Sequence, residues 1–268
     1  VPSTIVNGVD LYYEIHGSGT PLMLVAGLAS DSQSWQPVLE QLSRHYRVIV
    51  FDNRGVGRTR PQEAGMSIQQ IADDCVALIR HLGLPSVNLL GHSMGGFVAI
   101  DCAVRHPEYV LNLILAGTSA FNTERNNALF LDWASYMEDG MDPERWFRNI
   151  FYWIFSSRFF NDKDVLNDAL RFAIEYPYPQ SKAGFKKQVN AIKEFNCLEG
   201  LSGINTKTMV LCGEEDLLYP PEETVTTLDA IPNAVFAIIE HAAHSMHMEK
   251  PDEFIGVVRE FLENCERA

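Results

Sequence analysis

The 268 residues, 46% of them apolar, can bury a substantial core, and an α/β chain of this length commonly forms one domain with an insertion. A formal net charge of -14 argues against DNA, RNA and anionic membrane surfaces as partners, because proteins that bind polyanions concentrate Lys and Arg to displace counterions. The five cysteines (Cys75, Cys102, Cys197, Cys212, Cys265) are odd in number and widely spaced with no C-x-x-C pair, so they read as small buried hydrophobes rather than a disulfide framework or zinc site.

Residues 1–10 carry neither a basic segment nor an apolar one of the secretory type, and no run of 18 apolar residues occurs, so a cytoplasmic chain without a membrane span is expected. Residues 4–15 alternate around Asn7-Gly8, a dipeptide suited to positive φ angles, which predicts a β-hairpin. The rhythm then changes. Short apolar runs at 21–26, 46–51, 87–90 and 110–116 resemble strands covered on both faces, as in a parallel sheet. Apolar positions at three- and four-residue spacing predict helices over 34–44, 67–82 and 94–106, with Ser67 as an N-cap and Gly83 and Pro107 as stops.

The same alternation resumes at 208–212, 225–231, 235–239 and 251–263. Between 120 and 203 it is lost, and the stretch holds three of the four tryptophans and many phenylalanines in helical rather than strand-like patterns. The expected organisation is therefore an α/β core from 1–119 and 204–268, with a mostly parallel sheet flanked by helices and a helical cap inserted at 120–203.

Gly91-His92-Ser93-Met94-Gly95, followed by Gly96, falls where a predicted strand ends and a predicted helix begins. Small residues around the serine permit a sharp turn that projects the hydroxyl above the sheet, while the helix N-terminus supplies backbone donors. A serine hydroxyl is a weak nucleophile at neutral pH and needs a base, itself oriented by an acid; both are expected C-terminal to Ser93. Asp216 follows a predicted strand, where such folds gather their reactive groups, and is the candidate acid, with Glu214 and Glu215 as rivals. His241, His244 and His247 all follow the last strand, and position alone does not choose among them. Their spacing of three suggests a metal cluster only weakly, since neither an H-E-x-x-H pattern nor a cysteine pair accompanies them. For the oxyanion, the N–H groups of Met94 and Leu28 are the candidates.

Five stretches, in this order, resemble the α/β-hydrolase superfamily: Val25-Ala26-Gly27-Leu28, Asp52 to Thr59, Gly91 to Gly96, Gly213 to Asp216, and His244 to Pro251. The last is similar to the family's histidine loop, in which the catalytic histidine precedes a Glu by five and a Pro by seven, and this resemblance selects His244. The Asp52 to Thr59 stretch looks like the family's turn after its fourth strand, and Asp52 and Arg54 are expected to brace it. Where many members have His-Gly before the oxyanion residue this chain has Ala26-Gly27, and where Gly usually precedes the histidine it has Ala243, so the oxyanion loop is expected to be supported differently. Length, elbow and cap resemble small carboxylesterases, enol-lactonases and hydrolases of acyl-carrier methyl esters. Serine at 93 disfavours the dehalogenases and epoxide hydrolases of the fold, which place Asp there.

The reaction the resemblance implies is acyl transfer on a small-molecule substrate with no metal or organic cofactor. Perhydrolases, carbon-carbon bond hydrolases and slow-turnover small-molecule receptors share the same serine, acid and histidine and stay open as alternatives. Aromatic residues of the cap could line an acyl pocket or form the cap's own core.

Overall fold

In a computed structural model that describes residues 2–267, Asn7 and Gly8 take φ angles of 44° and 82° and fold strand β1 (Ser3–Val6) back on β2 (Val9–His16). Both residues tolerate the left-handed region, which matches the turn to the twist of the two strands. Six further strands follow: β3 (Pro21–Val25), β4 (Arg47–Phe51), β5 (Val87–His92), β6 (Val110–Ala116), β7 (Thr208–Gly213) and β8 (Val235–Ile239). They form one sheet in the order β1-β2-β4-β3-β5-β6-β7-β8. The hairpin and the β2/β4 pair are antiparallel and every other pair is parallel.

The continuous apolar runs are explained by burial on both faces. Leu22, Leu24, Val48, Val50 and Ile114 pack into one cluster with α1 (Gln36–Ser43) and the C-terminal helix. Their alternates Met23, Val25, Ile49, Leu89 and Leu113 pack on the other side with α2 (Ile68–His81) and α3 (Met94–Arg105). Ser67 caps α2 by accepting from the Gln70 N–H at 3.1 Å, and Gly83 follows it at φ 65°. The helix expected at 34–44 divides instead: Asp31 accepts from the Gln33 N–H at 2.9 Å and starts a 3₁₀ turn over Ser32–Trp35, and α1 begins only there, with Pro37 in its first turn.

Between β6 and β7 the chain forms five helices, α4 (Glu124–Glu138), α5 (Pro143–Ile154), α6 (Ser157–Asn161), α7 (Lys163–Ile174) and α8 (Lys182–Lys193). The segment leaves and returns at one place: Phe121 bridges Asn196, and the Cys197 N–H donates to Ala120 O at 3.1 Å. Trp133, Trp146 and Phe185 join the main core, whereas Phe151, Phe155, Leu166 and Leu170 form a small cluster of their own. Three helices complete the chain: α9 (Pro221–Leu228), α10 (Met246–Glu249) and α11 (Pro251–Arg267). The α9 helix starts four residues before the apolar pattern because Pro221 sits in its first turn, where its missing N–H costs nothing. Among the described residues no helix is long and apolar enough to cross a membrane.

Candidate active site

Ser93 sits between β5 and α3 at φ 56°, ψ -123°, a region that non-glycine residues rarely occupy. The strained turn is held on both sides. The Ser93 N–H donates to Ala116 O at 2.9 Å and Thr118 Oγ1 donates to Ser93 O at 2.9 Å. Glycine is required beside it by close approach: a Cβ on Gly91 would lie 2.1 Å from Gly95 O, and one on Gly95 would lie 2.1 Å from Val25 O.

Asp216 and His244, 28 residues apart, meet because β7 and β8 are parallel neighbours whose carboxyl ends release both loops at the same edge. Asp216 Oδ1 accepts from the N–H groups of Leu218 at 2.8 Å and Tyr219 at 2.9 Å, which leaves Oδ2 facing the imidazole. His244 Nδ1 lies 2.9 Å from that oxygen, and both side chains are buried. An ionised carboxylate only accepts, so Nδ1 carries the proton and Nε2 is left as the basic nitrogen. Ser93 Oγ makes no hydrogen bond to His244 among the described residues. Such contacts often form only when substrate closes the site.

The rival groups are placed elsewhere. Glu214 is half exposed, accepts from the His241 N–H at 2.8 Å and faces that ring at 3.3 Å. His247 lies in α10, wholly buried against Trp35 at 4.7 Å between ring centroids and Phe254 at 5.9 Å. Among the described residues neither of its ring nitrogens has a hydrogen-bond partner. Burial, then the neighbouring His244, push its pKa down to about 3, so it is a neutral core residue. His92 is also neutral: burial first, then His247 and His244, hold it well below the ordinary value. Its Nε2–H donates to the His244 carbonyl at 2.8 Å and ties the histidine loop to the elbow.

Gly27 packs against the elbow so closely that an added Cβ would lie 3.0 Å from Ser93 Cβ, which brings Leu28 alongside Ser93. The N–H groups of Leu28 and Met94 have no hydrogen-bond acceptor among the described residues. Two uncommitted backbone donors beside a serine are what an oxyanion site requires. Support for this loop comes from carboxamides: Asn53 Nδ2 donates to Ala26 O at 2.8 Å, and Gln188 Oε1 accepts from the Ala29 N–H at 3.1 Å. Asp52 and Arg54 do brace the neighbouring turn, although not with each other. Asp52 accepts from Ser32 N–H and from Arg58, while Arg54 forms a two-pronged pair with the buried Asp74 at 2.8 Å.

Glu249 entered the sequence reading only as a spacing marker. It is a brace: Oε1 accepts from the Ala243 N–H at 2.9 Å, and Oε2 accepts from the Ser156 N–H at 3.0 Å and from the Ser156 hydroxyl. The Ser245 N–H adds a bond to Ile154 O at 2.9 Å, so the histidine loop and the end of α5 are joined twice. No local signal marks such a role, since both partners lie far away in sequence. The cavity of about 410 Å³ between β8 and α11, lined by Met209, Val235, Ala237 and Phe261 among others, includes none of these groups.

A mostly parallel eight-stranded sheet, with a serine on a strand-to-helix elbow and a buried carboxylate–imidazole pair released by the last two strands, defines a hydrolase of the α/β class. The chain belongs to the alpha/beta hydrolase fold family, which matches residues 20–251. It is 28% identical over 264 residues to a protein of Rhizobium rhizogenes named as a carbamate hydrolase, RutD, covering 94% of this chain and 97% of that one. Among solved structures, an esterase from Thermogutta terrifontis superposes with a TM-score of 0.86 at 27% identity, over 98% of this chain and 97% of the other. The enol-lactonase from Burkholderia xenovorans LB400 superposes with a TM-score of 0.88 at 24% identity, over 98% and 100%, a likeness of fold.

Proposed function

We propose that the chain hydrolyses a carboxylic ester or a related acyl bond of a small molecule through an acyl-enzyme on Ser93. The observation that carries this reading is the Asp216–His244 bond at 2.9 Å, which leaves His244 Nε2 as the basic nitrogen on a loop tied to the Ser93 elbow through His92. Ser93 Oγ attacks the acyl carbon while His244 Nε2 takes its proton, and the N–H groups of Leu28 and Met94 receive the oxyanion. The proton then passes to the leaving group, and a water activated by the same nitrogen releases the acid and restores Ser93. Residues 120–203 act as the cap over this site. The likeness to the esterase, and to a relative named for a bond that is also cleaved at an acyl carbon, supports ester or ester-like substrates. A reducing cytoplasm suits the five free cysteines.

An organophosphonate is expected to label Ser93 stoichiometrically, and Ser93→Ala to abolish both labelling and turnover on a panel of esters, lactones and thioesters. Labelling elsewhere, with activity kept in the variant, overturns the assignment. Burst without sustained turnover on every ester would identify a slow-turnover receptor instead.

A further inference from the structure

From the hydrogen bonds that meet at Ala29, we infer that Gln188, a side chain of the inserted helix α8, is a positioning residue for the oxyanion loop and makes that loop dependent on the docked insertion. The inference rests on the acyl-transfer reading above. Ala29 follows the proposed donor Leu28 and sits at φ 59°, a left-handed conformation that costs an alanine on the order of 1 kcal/mol and persists only where surrounding bonds impose it. Two bonds hold it: the Ser30 N–H closes the turn on Gly27 O at 3.3 Å, and the Ala29 N–H donates to Gln188, which is fully buried. Its Oε1 accepts from the Ala29 N–H at 3.1 Å and from Gln180 Nε2 at 2.9 Å, and its Nε2 donates to Arg54 O at 3.1 Å.

The orientation of this amide is determined by its partners. The Ala29 N–H can only donate and the Arg54 carbonyl can only accept, so a flipped Gln188 would lose both bonds. Gln180 is fixed in the same way, since its Nε2 also donates to Gly55 O at 2.8 Å. On the other side of Leu28, Asn53 Nδ2 holds Ala26 O at 2.8 Å. The peptide that carries the Leu28 N–H is thus clamped between a carboxamide of the core and one of the insertion. Here Ala26 has no polar group, and the support arrives from α8. An oxyanion donor contributes only when aimed at the place where charge develops, so a loop free to relax from the positive φ at Ala29 would misdirect it.

Gln188→Met keeps the length and volume of the side chain and removes both polar ends. It is expected to lower kcat per titratable Ser93 by about 10- to 100-fold, with KM changed by less than about threefold, because the donor matters most in the transition state. Gln188→Glu, protonated in so buried a place, keeps an acceptor for Ala29 and a donor for Arg54, and is expected to restore most of that loss. Gln180→Met, which leaves the Ala29 bond in place, is expected to stay within about threefold of wild type. Hydrogen exchange at the Ala29 amide, measured without substrate, is expected to be slow in wild type and fast in Gln188→Met. Unchanged kcat per labelled site in Gln188→Met, a Gln188→Glu variant as impaired as Gln188→Met, or equal Ala29 exchange in wild type and Gln188→Met each overturns the inference. Failure of the phosphonate to label Ser93 in wild type overturns the acyl-transfer reading instead, and leaves the exchange result as the test of the clamp.

Discussion

Asp216 Oδ2 accepts a hydrogen bond from His244 Nδ1 at 2.9 Å, while Asp216 Oδ1 is held by two backbone N–H groups of its own loop. The carboxylate therefore cannot rotate away from the ring without abandoning three bonds. Asp216→Asn replaces one acceptor oxygen by a donor, and the ring then loses either its tautomer or its partner. Turnover is expected to fall by about 10³- to 10⁴-fold with KM little changed. Glu214→Gln and Glu215→Gln are expected to stay within about fivefold, because the exposed Glu214 and the partly exposed Glu215 are not bonded to His244 and charges open to solvent contribute at most about 1 kcal/mol. Steady-state kinetics of the three variants on one ester decide it. A crippled Glu215→Gln beside an active Asp216→Asn would move the acid by one residue.

His244→Ala is expected to remove at least about 10³-fold in kcat, since only binding and oxyanion stabilisation then remain. His241→Ala is expected to be near wild type, as that exposed ring pairs with Glu214 at 3.3 Å, away from Asp216 and His244. His247→Ala empties a site packed between Trp35 and Phe254, so it is expected to lower the unfolding midpoint rather than kcat per active site. Phosphonate titration of the folded fraction separates the two effects. Loss of kcat per site in His247→Ala equal to that of His244→Ala would mean the wrong imidazole has been assigned as base.

Glu249→Ala deprives the Ala243 and Ser156 N–H groups of their acceptor and removes one of the two links between the histidine loop and the end of α5. A stability loss of about 1–3 kcal/mol is expected from the unpaired groups. A roughly tenfold fall in kcat per titratable site is expected to accompany it, through looser placement of His244. Urea unfolding and active-site titration measure the two separately. A variant that is destabilised but keeps full kcat per site would make Glu249 a purely structural brace.

The pH dependence of stability has a definite sign at His247. Its folded-state pKa is about 3, below the value of about 6.5 expected when unfolded. Between these values the unfolded chain binds a proton that the folded chain refuses, so the ring's contribution is complete above about pH 6.5 and is lost as pH falls toward 3. The limiting slope is about 1.4 kcal/mol per pH unit for one group, and His92 acts in the same direction. Wild type is expected to lose urea stability between pH 6.5 and 4.5, and His247→Phe, apolar among Trp35 and Phe254, to lose less. Parallel curves for the two proteins would show that this ring does not titrate with unfolding.

The sequence by itself determined what depends on neighbours along the chain. Residue alternation and turn chemistry placed the hairpin at Asn7-Gly8, the continuous apolar runs marked strands covered on both faces, and the glycines around Ser93 marked the elbow. All three follow from local sterics and from the period at which side chains meet the core. Tertiary structure decided everything that rests on approach between distant segments. Position alone did not choose among three closely spaced histidines and left Asp216 with two rival carboxylates; the resemblance favoured Asp216 and His244, and the pairing of β7 with β8 puts those two opposite each other, leaves Glu214 to the surface with His241, and buries His247 beside Trp35. The hydrogen bonds of Gln188 to Ala29, 159 residues away, and of Glu249 to Ser156, 93 residues away, were not legible for the same reason. A polar side chain carries no mark of its partner in the sequence, and only the folded chain shows which buried N–H it satisfies.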